Sequence, residues 1–293
     1  MPECFCTVSG DIELCYETFG DPADPAALLV MGLATQMIGW HEELCAELAG
    51  RGFHVVRFDN RDIGRSSRLE DVRAPTMAQL LRRDKRAAAY TLDDMAGDSV
   101  GLLDHLGIER AHVIGASMGG MIAQTMAARH AERVRSLVSV MSNTGARWSG
   151  QPSVRLYPTL LRRAPRDRDG YVRHVARMFD EIGSPGFERD YEDFRRLAEI
   201  SYDRGLNPVA AGRQLAAIIA SGDRTPLLRT IDVPTLVIHG TRDRLVPPSG
   251  GRATARAIPG ARLLRIEGMG HDLPREAWPR MLDAIEENAA RAA

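Results

Sequence analysis

The chain has 293 residues, of which 44% are hydrophobic and 26% are charged. This length and balance are typical of one large folded domain, or of a domain with an insertion, and they exclude disordered, collagen-like and coiled-coil chains. The 38 basic and 39 acidic residues leave a formal net charge of -1, which gives no uniform field to attract a nucleic acid or an anionic lipid. We therefore expect a globular protein that binds neither nucleic acid nor membrane.

The four cysteines all lie in the first fifth of the chain. They are Cys4, Cys6, Cys15 and Cys45. They are too few, and the first two are too close together, for a disulfide framework or a zinc site, so we expect free thiols and no metal. The N-terminal segment lacks the basic start and apolar stretch of a signal peptide, which predicts a cytoplasmic protein. A homodimer is left open.

Short strand and helix patterns follow one another along the chain. The alternation at Ile12, Leu14 and Tyr16 predicts half-buried antiparallel edge strands. Buried parallel strands are then predicted at residues 27–30, 55–58, 112–114, 137–141, 236–238 and 263–266. Helices are predicted between them, among them residues 42–48, 92–106 and 121–129. The repeated β-α-β order predicts an α/β fold with a doubly wound, mostly parallel sheet.

The alternation of strands and helices stops over residues 146–225, where the sequence shows helical patterns and loops only. This segment holds half of the Phe, Tyr and Trp residues of the chain. We interpret residues 1–145 and 226–293 as the core, and the segment as a helical cap over the carboxyl edge of the sheet, where open α/β sheets bind ligands. The alternative is that these aromatic residues only form the contact layer that an all-helical insertion needs.

Two Gly-x-Ser-x-Gly motifs compete for the position of a nucleophile. Residues 97–101 lie inside a predicted helix, whereas residues 115–119 follow a strand and open a helix, as a nucleophile elbow requires. Glycines beside the serine permit a turn that is too sharp for side chains, and the helix N-terminus directs N–H groups to the place where negative charge develops. We predict that Ser117 is the nucleophile and that Ser99 is not.

A serine hydroxyl is a poor nucleophile unless a histidine, oriented by a carboxylate, removes its proton. Among the eight histidines, His271 stands in a glycine-rich loop after the last predicted strand. Asp243 directly follows an earlier strand and is the predicted acid. Asp272 is the alternative, although the residue next to a histidine does not easily fold back to its Nδ1 atom. The chain order Ser, Asp, His is the order that this fold uses.

The amide donors that stabilise a developing oxyanion are predicted at two places. One is the N–H of Met118, directly after the nucleophile, and the other belongs to the loop that follows the first parallel strand. In that loop Gly32 lets the backbone turn so that the N–H of Leu33 can face the N–H of Met118. The alternative is an ordinary loop between a strand and a helix.

These motifs together resemble the α/β-hydrolase superfamily, over nearly the whole chain. Residues 58–67 look like the structural Asp-x-Arg-x-x-Gly-x-Ser turn of the family, and residues 21–25, residues 30–32 and Trp40 are similar to aclacinomycin methylesterase-like serine esterases. One position departs from the family pattern. Met31 stands where most members have a histidine, so a hydrogen bond that would fix the oxyanion loop is missing.

The resemblance implies hydrolysis of a small-molecule ester by Ser117, His271 and Asp243 through an acyl-enzyme, without a cofactor. Serine at the elbow argues against haloalkane dehalogenases and epoxide hydrolases, which use aspartate there. Carbon–carbon bond hydrolases, lactonases and perhydrolases with the same triad remain alternatives, as does a ligand receptor on this fold. The residues expected to enclose a bulky, mostly apolar substrate are Trp148, Tyr157, Met178, Phe179 and Tyr202.

Overall fold

A computed structural model describes residues 2–156, 164–207 and 209–292 of the chain. Tyr157, one of the expected substrate-binding residues, therefore lies outside the described residues. The described residues contain eight strands in one sheet. The strands are β1 (Cys4–Thr7), β2 (Glu13–Phe19), β3 (Ala26–Val30), β4 (His54–Phe58), β5 (Ala111–Ala116), β6 (Val134–Val140), β7 (Thr235–Gly240) and β8 (Arg262–Ile266).

The strand order across the sheet is β1-β2-β4-β3-β5-β6-β7-β8. All neighbours from β4 to β8 are parallel, whereas β2 is antiparallel to both β1 and β4. The predicted doubly wound, mostly parallel sheet is therefore present. The expectation that the antiparallel strands lie at the edge holds for β1 and is wrong for β2, because pairing with β4 covers its second side and most of its residues are buried.

The described helices surround the sheet, and none of them is long and apolar enough to span a bilayer. They are α1 (Glu42–Gly50), α2 (Met77–Leu81), α3 (Leu92–His105), α4 (Met118–Arg129), α5 (Arg168–Ile182), α6 (Tyr191–Arg204), α7 (Ala210–Ser221), α8 (Thr225–Leu228), α9 (Pro248–Ala257) and α10 (Trp278–Ala290). Helix α3 begins with a capping box, in which Thr91 and Asp94 each accept a hydrogen bond from the backbone amide of the other. This box satisfies two of the amides that a helix start leaves without partners.

The core consists of two apolar layers, one on each face of the sheet. Side chains alternate along β3, so that Leu28 belongs to one layer and Leu29 to the other. Helices α3 and α4 contribute to the layer that contains Leu28. Helices α1 and α10 contribute to the layer that contains Leu29. Because β3 is buried on both faces, its sequence is a continuous aliphatic run rather than an alternating one.

Between β6 and β7 the described residues form helices and loops and no strand. Helices α5 and α6 pack against each other, and α7 packs against α2, α3 and residues 85–87. The described part of residues 146–225 thus consists of helices and loops, as the sequence pattern predicts. Its function as a cap over a site stays a prediction.

The parallel strands all end at one edge of the sheet. The chain runs from β3 to β4 on one side and later returns to β5 on the other side of β3, so the strand order reverses between β3 and β5. Open α/β sheets bind ligands outside the carboxyl ends of the strands at such a switch point. The loop after β3 and the turn after β5 carry the predicted oxyanion residues and the predicted nucleophile.

Candidate active site

The turn between β5 and α4 holds Ser117 in an uncommon backbone conformation, with φ 55° and ψ −117°. Its neighbours have to be glycines. A Cβ atom at Gly115 would lie 2.1 Å from the carbonyl oxygen of Gly119, and one at Gly119 would lie 2.0 Å from the carbonyl oxygen of Val30. The sharp turn leaves the serine hydroxyl at the carboxyl edge of the sheet, as the sequence pattern predicts for an elbow.

The other Gly-x-Ser-x-Gly motif is an ordinary stretch of helix α3. Ser99 is fully buried and donates a hydrogen bond to the carbonyl oxygen of Met95, at 3.1 Å. A Cβ atom at Gly97 would meet no atom within 4 Å, so this glycine is not required by packing. The prediction that residues 97–101 are helical is confirmed.

The structure brings the side chains of Ser117, His271 and Asp243 together. His271 Nδ1 lies 2.8 Å from Asp243 Oδ2, and His271 Nε2 lies 3.0 Å from Ser117 Oγ. A carboxylate only accepts hydrogen bonds, so Nδ1 donates to it, and Nε2 of the neutral ring accepts from the serine hydroxyl. In this arrangement the imidazole can take the proton of Ser117 while the buried carboxylate holds the ring.

Asp243 is fixed on its other side by the backbone and a second histidine. Its Oδ1 atom accepts hydrogen bonds from the amides of Leu245, at 2.9 Å, and Val246, at 2.8 Å. His239 Nε2 donates to the carbonyl oxygen of Val246, at 2.8 Å, and lies 3.6 Å from Asp243 Oδ2. Burial lowers the pKa of His239 below its ordinary value, which keeps this ring neutral beside the carboxylate.

The loop that carries His271 is held by the last residue of α5 and by the chain that follows this helix. The amide of His271 donates to the carbonyl oxygen of Ile182, at 2.7 Å, and the amide of Gly270 donates to Ser184 Oγ, at 2.8 Å. The Ser184 hydroxyl in turn donates to Asp272 Oδ1. Burial raises the pKa of the Asp272 carboxyl. The structure thus pairs His271 with Asp243 and directs the alternative acid, Asp272, to a serine.

The loop after β3 lies against the nucleophile. A Cβ atom at Gly32 would be only 3.1 Å from Ser117 Cβ, so the backbone of this loop passes directly beside the elbow. Met118 is the first residue of α4, and its N–H therefore has no acceptor within the helix. Asn60 Nδ2 donates to the carbonyl oxygen of Met31, at 2.9 Å. The loop that lacks the usual histidine is thus held by an asparagine from a neighbouring loop.

The Asp-x-Arg-x-x-Gly-x-Ser turn forms after β4 and supports the same region. Asp59 accepts hydrogen bonds from the amides of Met37, at 2.7 Å, and Arg65, at 3.0 Å. Gly64 has φ 58°, and a Cβ atom there would lie 2.1 Å from Asp59 Oδ2. Ser66 Oγ donates to the carbonyl oxygen of Asp59, at 2.6 Å. The aspartate therefore joins this turn to the end of the loop after β3.

The aromatic residues expected to enclose a substrate are not all placed for that function. Trp148 is 96% exposed and encloses nothing, so its expected role in a substrate pocket is corrected. Phe179 is buried and stacks on Phe194, with ring centroids 3.3 Å apart, as the contact-layer alternative expects. Met178 and Tyr202 are half-buried. Substrate binding by Met178, Phe179 and Tyr202 stays a prediction.

The cysteines are free, with Cys4 exposed and the other three buried, as predicted. Within residues 2–156, 164–207 and 209–292, no group of three or more His, Cys, Asp and Glu side chains is placed to hold a metal ion.

Comparison with known proteins identifies the family. The sequence family described as alpha/beta hydrolase fold matches residues 25–276. The chain belongs to this family. It is 27% identical to the rhodomycin D methylesterase of Streptomyces peucetius, with 97% of each chain covered, and 30% identical to that of Streptomyces sp. (strain C5), with 94% of each covered. These matches confirm the predicted fold and the resemblance to methylesterases.

A solved structure gives the same result for the fold. The enol-lactonase of Burkholderia xenovorans LB400 superposes with a TM-score of 0.72 and 27% sequence identity. The superposition covers 98% of this chain and 100% of that chain. The similarity therefore extends beyond the residues of the sheet.

Proposed function

We propose that the protein is a serine hydrolase of carboxylic esters. The observation that carries this proposal is the hydrogen-bonded series from Ser117 through His271 to the buried Asp243, at the switch point of the sheet. Nucleophile, base and orienting acid are then in the mutual geometry that acyl transfer requires. The family match and the two methylesterase relatives support the same reaction class.

The reaction follows from this geometry in two steps. Ser117 Oγ attacks the ester carbonyl while His271 Nε2 takes the hydroxyl proton, and the carboxylate of Asp243 stabilises the imidazolium. The amides of Leu33 and Met118 stabilise the negative charge on the former carbonyl oxygen. His271 returns the proton to the alcohol as it leaves, and an acyl-enzyme remains. Water, deprotonated by His271, then attacks this ester, and His271 returns the proton to Ser117 Oγ as the carboxylic acid is released.

The proposed substrate is an ester that joins a small alcohol to a bulky, mostly apolar acid. Two curated relatives that cover nearly the whole chain are methylesterases of rhodomycin D by name. The proposed cap between β6 and β7 contributes Met178, Phe179 and Tyr202. Burial of one aromatic ring contributes on the order of 1.5–3 kcal/mol, so two such contacts would separate a large acid from a small one.

The nucleophile is tested by matched serine replacements. We expect Ser117→Ala to lower kcat for a p-nitrophenyl ester by at least about 10⁴-fold, because no other group can form the acyl-enzyme. Ser99→Ala removes a serine from the same sequence motif, within α3, and should keep kcat within about threefold of the parent. Steady-state kinetics of both variants decide the matter. Loss of activity in Ser99→Ala alone would show that the nucleophile has been assigned to the wrong motif.

The size preference is tested with methyl esters of acetic, butyric and aryl-substituted acids. We expect kcat/KM to rise along this series, with the aryl esters at least about tenfold above acetate, since ring burial stabilises the transition state. A preference for acetate would contradict a bulky acid. It would also favour the alternative that the aromatic residues serve only the packing of the helices.

A second candidate is hydrolysis of a lactone, which the similarity to the enol-lactonase supports. A lactone is a cyclic ester, so the same triad would open it and the alcohol would stay attached to the acid. Measurement of kcat/KM for a panel of lactones beside the methyl esters separates the two candidates. If kcat/KM for a lactone exceeded that for the methyl esters by about 100-fold or more, a lactone would become the proposed substrate. The mechanism would stay the same.

A further inference from the structure

The loop after β3 forms a tight turn beside Ser117. The carbonyl oxygen of Gly32 accepts a hydrogen bond from the amide of Thr35, at 3.3 Å, which closes a four-residue turn. Ala34, the third residue of the turn, has φ 56°. A positive φ at this position is that of a type II turn, where glycine is usual, and it is unfavourable for alanine. Something outside the turn has to stabilise it.

That partner is a glutamine from α7. Gln214 is fully buried, and its Oε1 atom accepts a hydrogen bond from the amide of Ala34, at 2.8 Å. Its Nε2 atom donates to the carbonyl oxygen of Arg61, at 3.1 Å. Both ends of the carboxamide are therefore used, which fixes its orientation. A flip of the Leu33–Ala34 peptide to the type I form would turn the N–H of Ala34 away from this acceptor.

The two peptide planes on either side of Leu33 are consequently both fixed. In the preceding plane the carbonyl of Gly32 is bound by Thr35, so the N–H of Leu33 in the same trans peptide points the opposite way. In the following plane the N–H of Ala34 is bound by Gln214, and the carbonyl of Leu33 accepts from Thr35 Oγ1, at 3.1 Å. The N–H of Leu33 thus lies in the plane that Thr35 holds, and Gln214 holds the next plane from outside the turn. Together these bonds fix the turn that carries the Leu33 N–H.

The next residue of the loop is bound to α6 in a similar way. Gln36 is buried and donates from Nε2 to the carbonyl oxygen of Ser201, at 2.7 Å, and its Oε1 accepts from Arg204 Nε, at 2.8 Å. Two helices between β6 and β7 therefore hold the loop that passes beside the nucleophile. The proposed cap and the proposed oxyanion site form one hydrogen-bonded unit.

We propose that Gln214 is a positioning residue for the oxyanion site. It does not touch the substrate, and it acts by anchoring the turn at residues 32–35 to α7, so that the turn keeps the N–H of Leu33 facing the developing negative charge. This inference rests on the proposed ester hydrolysis. It adds a contribution to transition-state stabilisation from α7, about 180 residues along the chain from the turn it supports.

The test replaces the carboxamide and keeps the size of the side chain. Gln214→Met should lower kcat about 10- to 100-fold. This loss is smaller than the roughly 10²–10³-fold loss that complete removal of an oxyanion donor causes, because the donor is misplaced and not removed. KM should stay within about threefold, because ground-state binding does not need this donor. Affinity for an aryl trifluoromethyl ketone, which forms a tetrahedral oxyanion on Ser117, should fall by about the same factor as kcat/KM.

A matched control is the same change at another fully buried glutamine. Gln124, in α4, donates from Nε2 to Ser139 Oγ at 2.9 Å, away from the loop. Gln124→Met loses a buried amide in the same way and should keep kcat within about threefold of the parent. Should Gln214→Met not fold, Gln214→Asn keeps a carboxamide but withdraws it by one methylene. It should show the same loss of kcat.

A rescue experiment separates positioning from general stability. Ala34→Gly removes the penalty of a positive φ, so the turn no longer depends on an external acceptor. The kcat of the double variant Ala34→Gly/Gln214→Met should therefore be at least about threefold higher than that of Gln214→Met. A loss caused only by a weakened core would not respond to this change in a turn.

The outcomes distinguish this inference from the proposed function. If Gln214→Met keeps Ser117-dependent activity at the level of Gln124→Met, or if Ala34→Gly restores nothing, positioning by Gln214 is overturned and ester hydrolysis stands. If the parent protein shows no Ser117-dependent hydrolysis of any ester, the proposed function fails first and the inference fails with it.

Discussion

At the scale of single residues, neighbouring carboxylates differ in what they can do for His271. Asp243 follows β7, is buried, and uses one oxygen for two backbone amides and the other for the imidazole. Asp272 is adjacent to the histidine in sequence, yet its carboxylate accepts from Ser184. Proximity along the chain is thus a poor guide to partnership, because the side chain of an adjacent residue leaves the backbone in a different direction.

This assignment predicts different effects for the same substitution at the two carboxylates. We expect Asp243→Asn to lower kcat by roughly 10²–10⁴-fold, because the amide no longer stabilises an imidazolium and favours the wrong tautomer of His271. Asp272→Asn should keep kcat within about threefold, since an amide can still accept from Ser184. Steady-state kinetics on one activated ester measure kcat for both variants and for the parent. Full activity of Asp243→Asn together with loss in Asp272→Asn would show that the wrong acid has been assigned.

At the scale of elements, the elbow shows why one sequence motif can have two structures. The motif at residues 115–119 follows a buried strand and precedes a helix, and its glycines allow β3, β5 and α4 to approach closely. The motif at residues 97–101 lies within the amphipathic pattern of α3. The Gly-x-Ser-x-Gly pattern is the same in both segments, so the flanking periodicity, and not the motif, determines the structure.

Matched glycine replacements test this difference. Gly119→Ala places a Cβ atom 2.0 Å from the carbonyl oxygen of Val30, so the strand and the elbow must separate. We expect a loss of about 1–3 kcal/mol in the free energy of unfolding, with a large drop in kcat. Gly97→Ala fills open space within a helix and should raise the free energy of unfolding by up to about 1 kcal/mol. Urea denaturation measures both, and equal effects would contradict this account of the elbow.

At the scale of the whole molecule, the sequence allows prediction of some contacts and not of others. Ser117, Asp243 and His271 follow the ends of β5, β7 and β8, and parallel strands bring their carboxyl ends to one edge, so their meeting could be predicted. The prediction that residues 263–266 form a buried strand is wrong, because β8 is the last strand of the sheet and only Ile266 in it is buried. Gln214 and Ser184 could not be found in this way. They lie outside the sheet, in helices and loops whose docking depends on which face meets the core, and an amphipathic pattern leaves that choice open.

The buried His112 in β5 predicts how the stability of the molecule depends on pH. Burial lowers the pKa of this ring to about 4. The unfolded chain binds the proton near the ordinary value of about 6.5, so below that pH the unfolded state gains protons that the folded state does not. Stability that is fully present above about pH 6.5 is therefore lost as the pH falls towards 4.

The variant His112→Gln isolates this contribution, because glutamine does not titrate. Between pH 7 and pH 5 we expect the free energy of unfolding of the parent to fall by on the order of 1 kcal/mol more than that of the variant. Urea denaturation at the two pH values measures the difference. Parallel behaviour of parent and variant would mean that His112 is protonated in the folded protein.

The central claim is that Ser117 forms a covalent intermediate with the help of His271. The most direct measurement is the intact mass of the protein after reaction with an activated aryl phosphonate, followed by peptide mapping. We predict one phosphonyl group per chain, located on Ser117, absent in Ser117→Ala and formed at least about 10³-fold more slowly in His271→Ala. Labelling of Ser117→Ala at the rate of the parent, or an adduct on any other residue of the parent, would contradict the account.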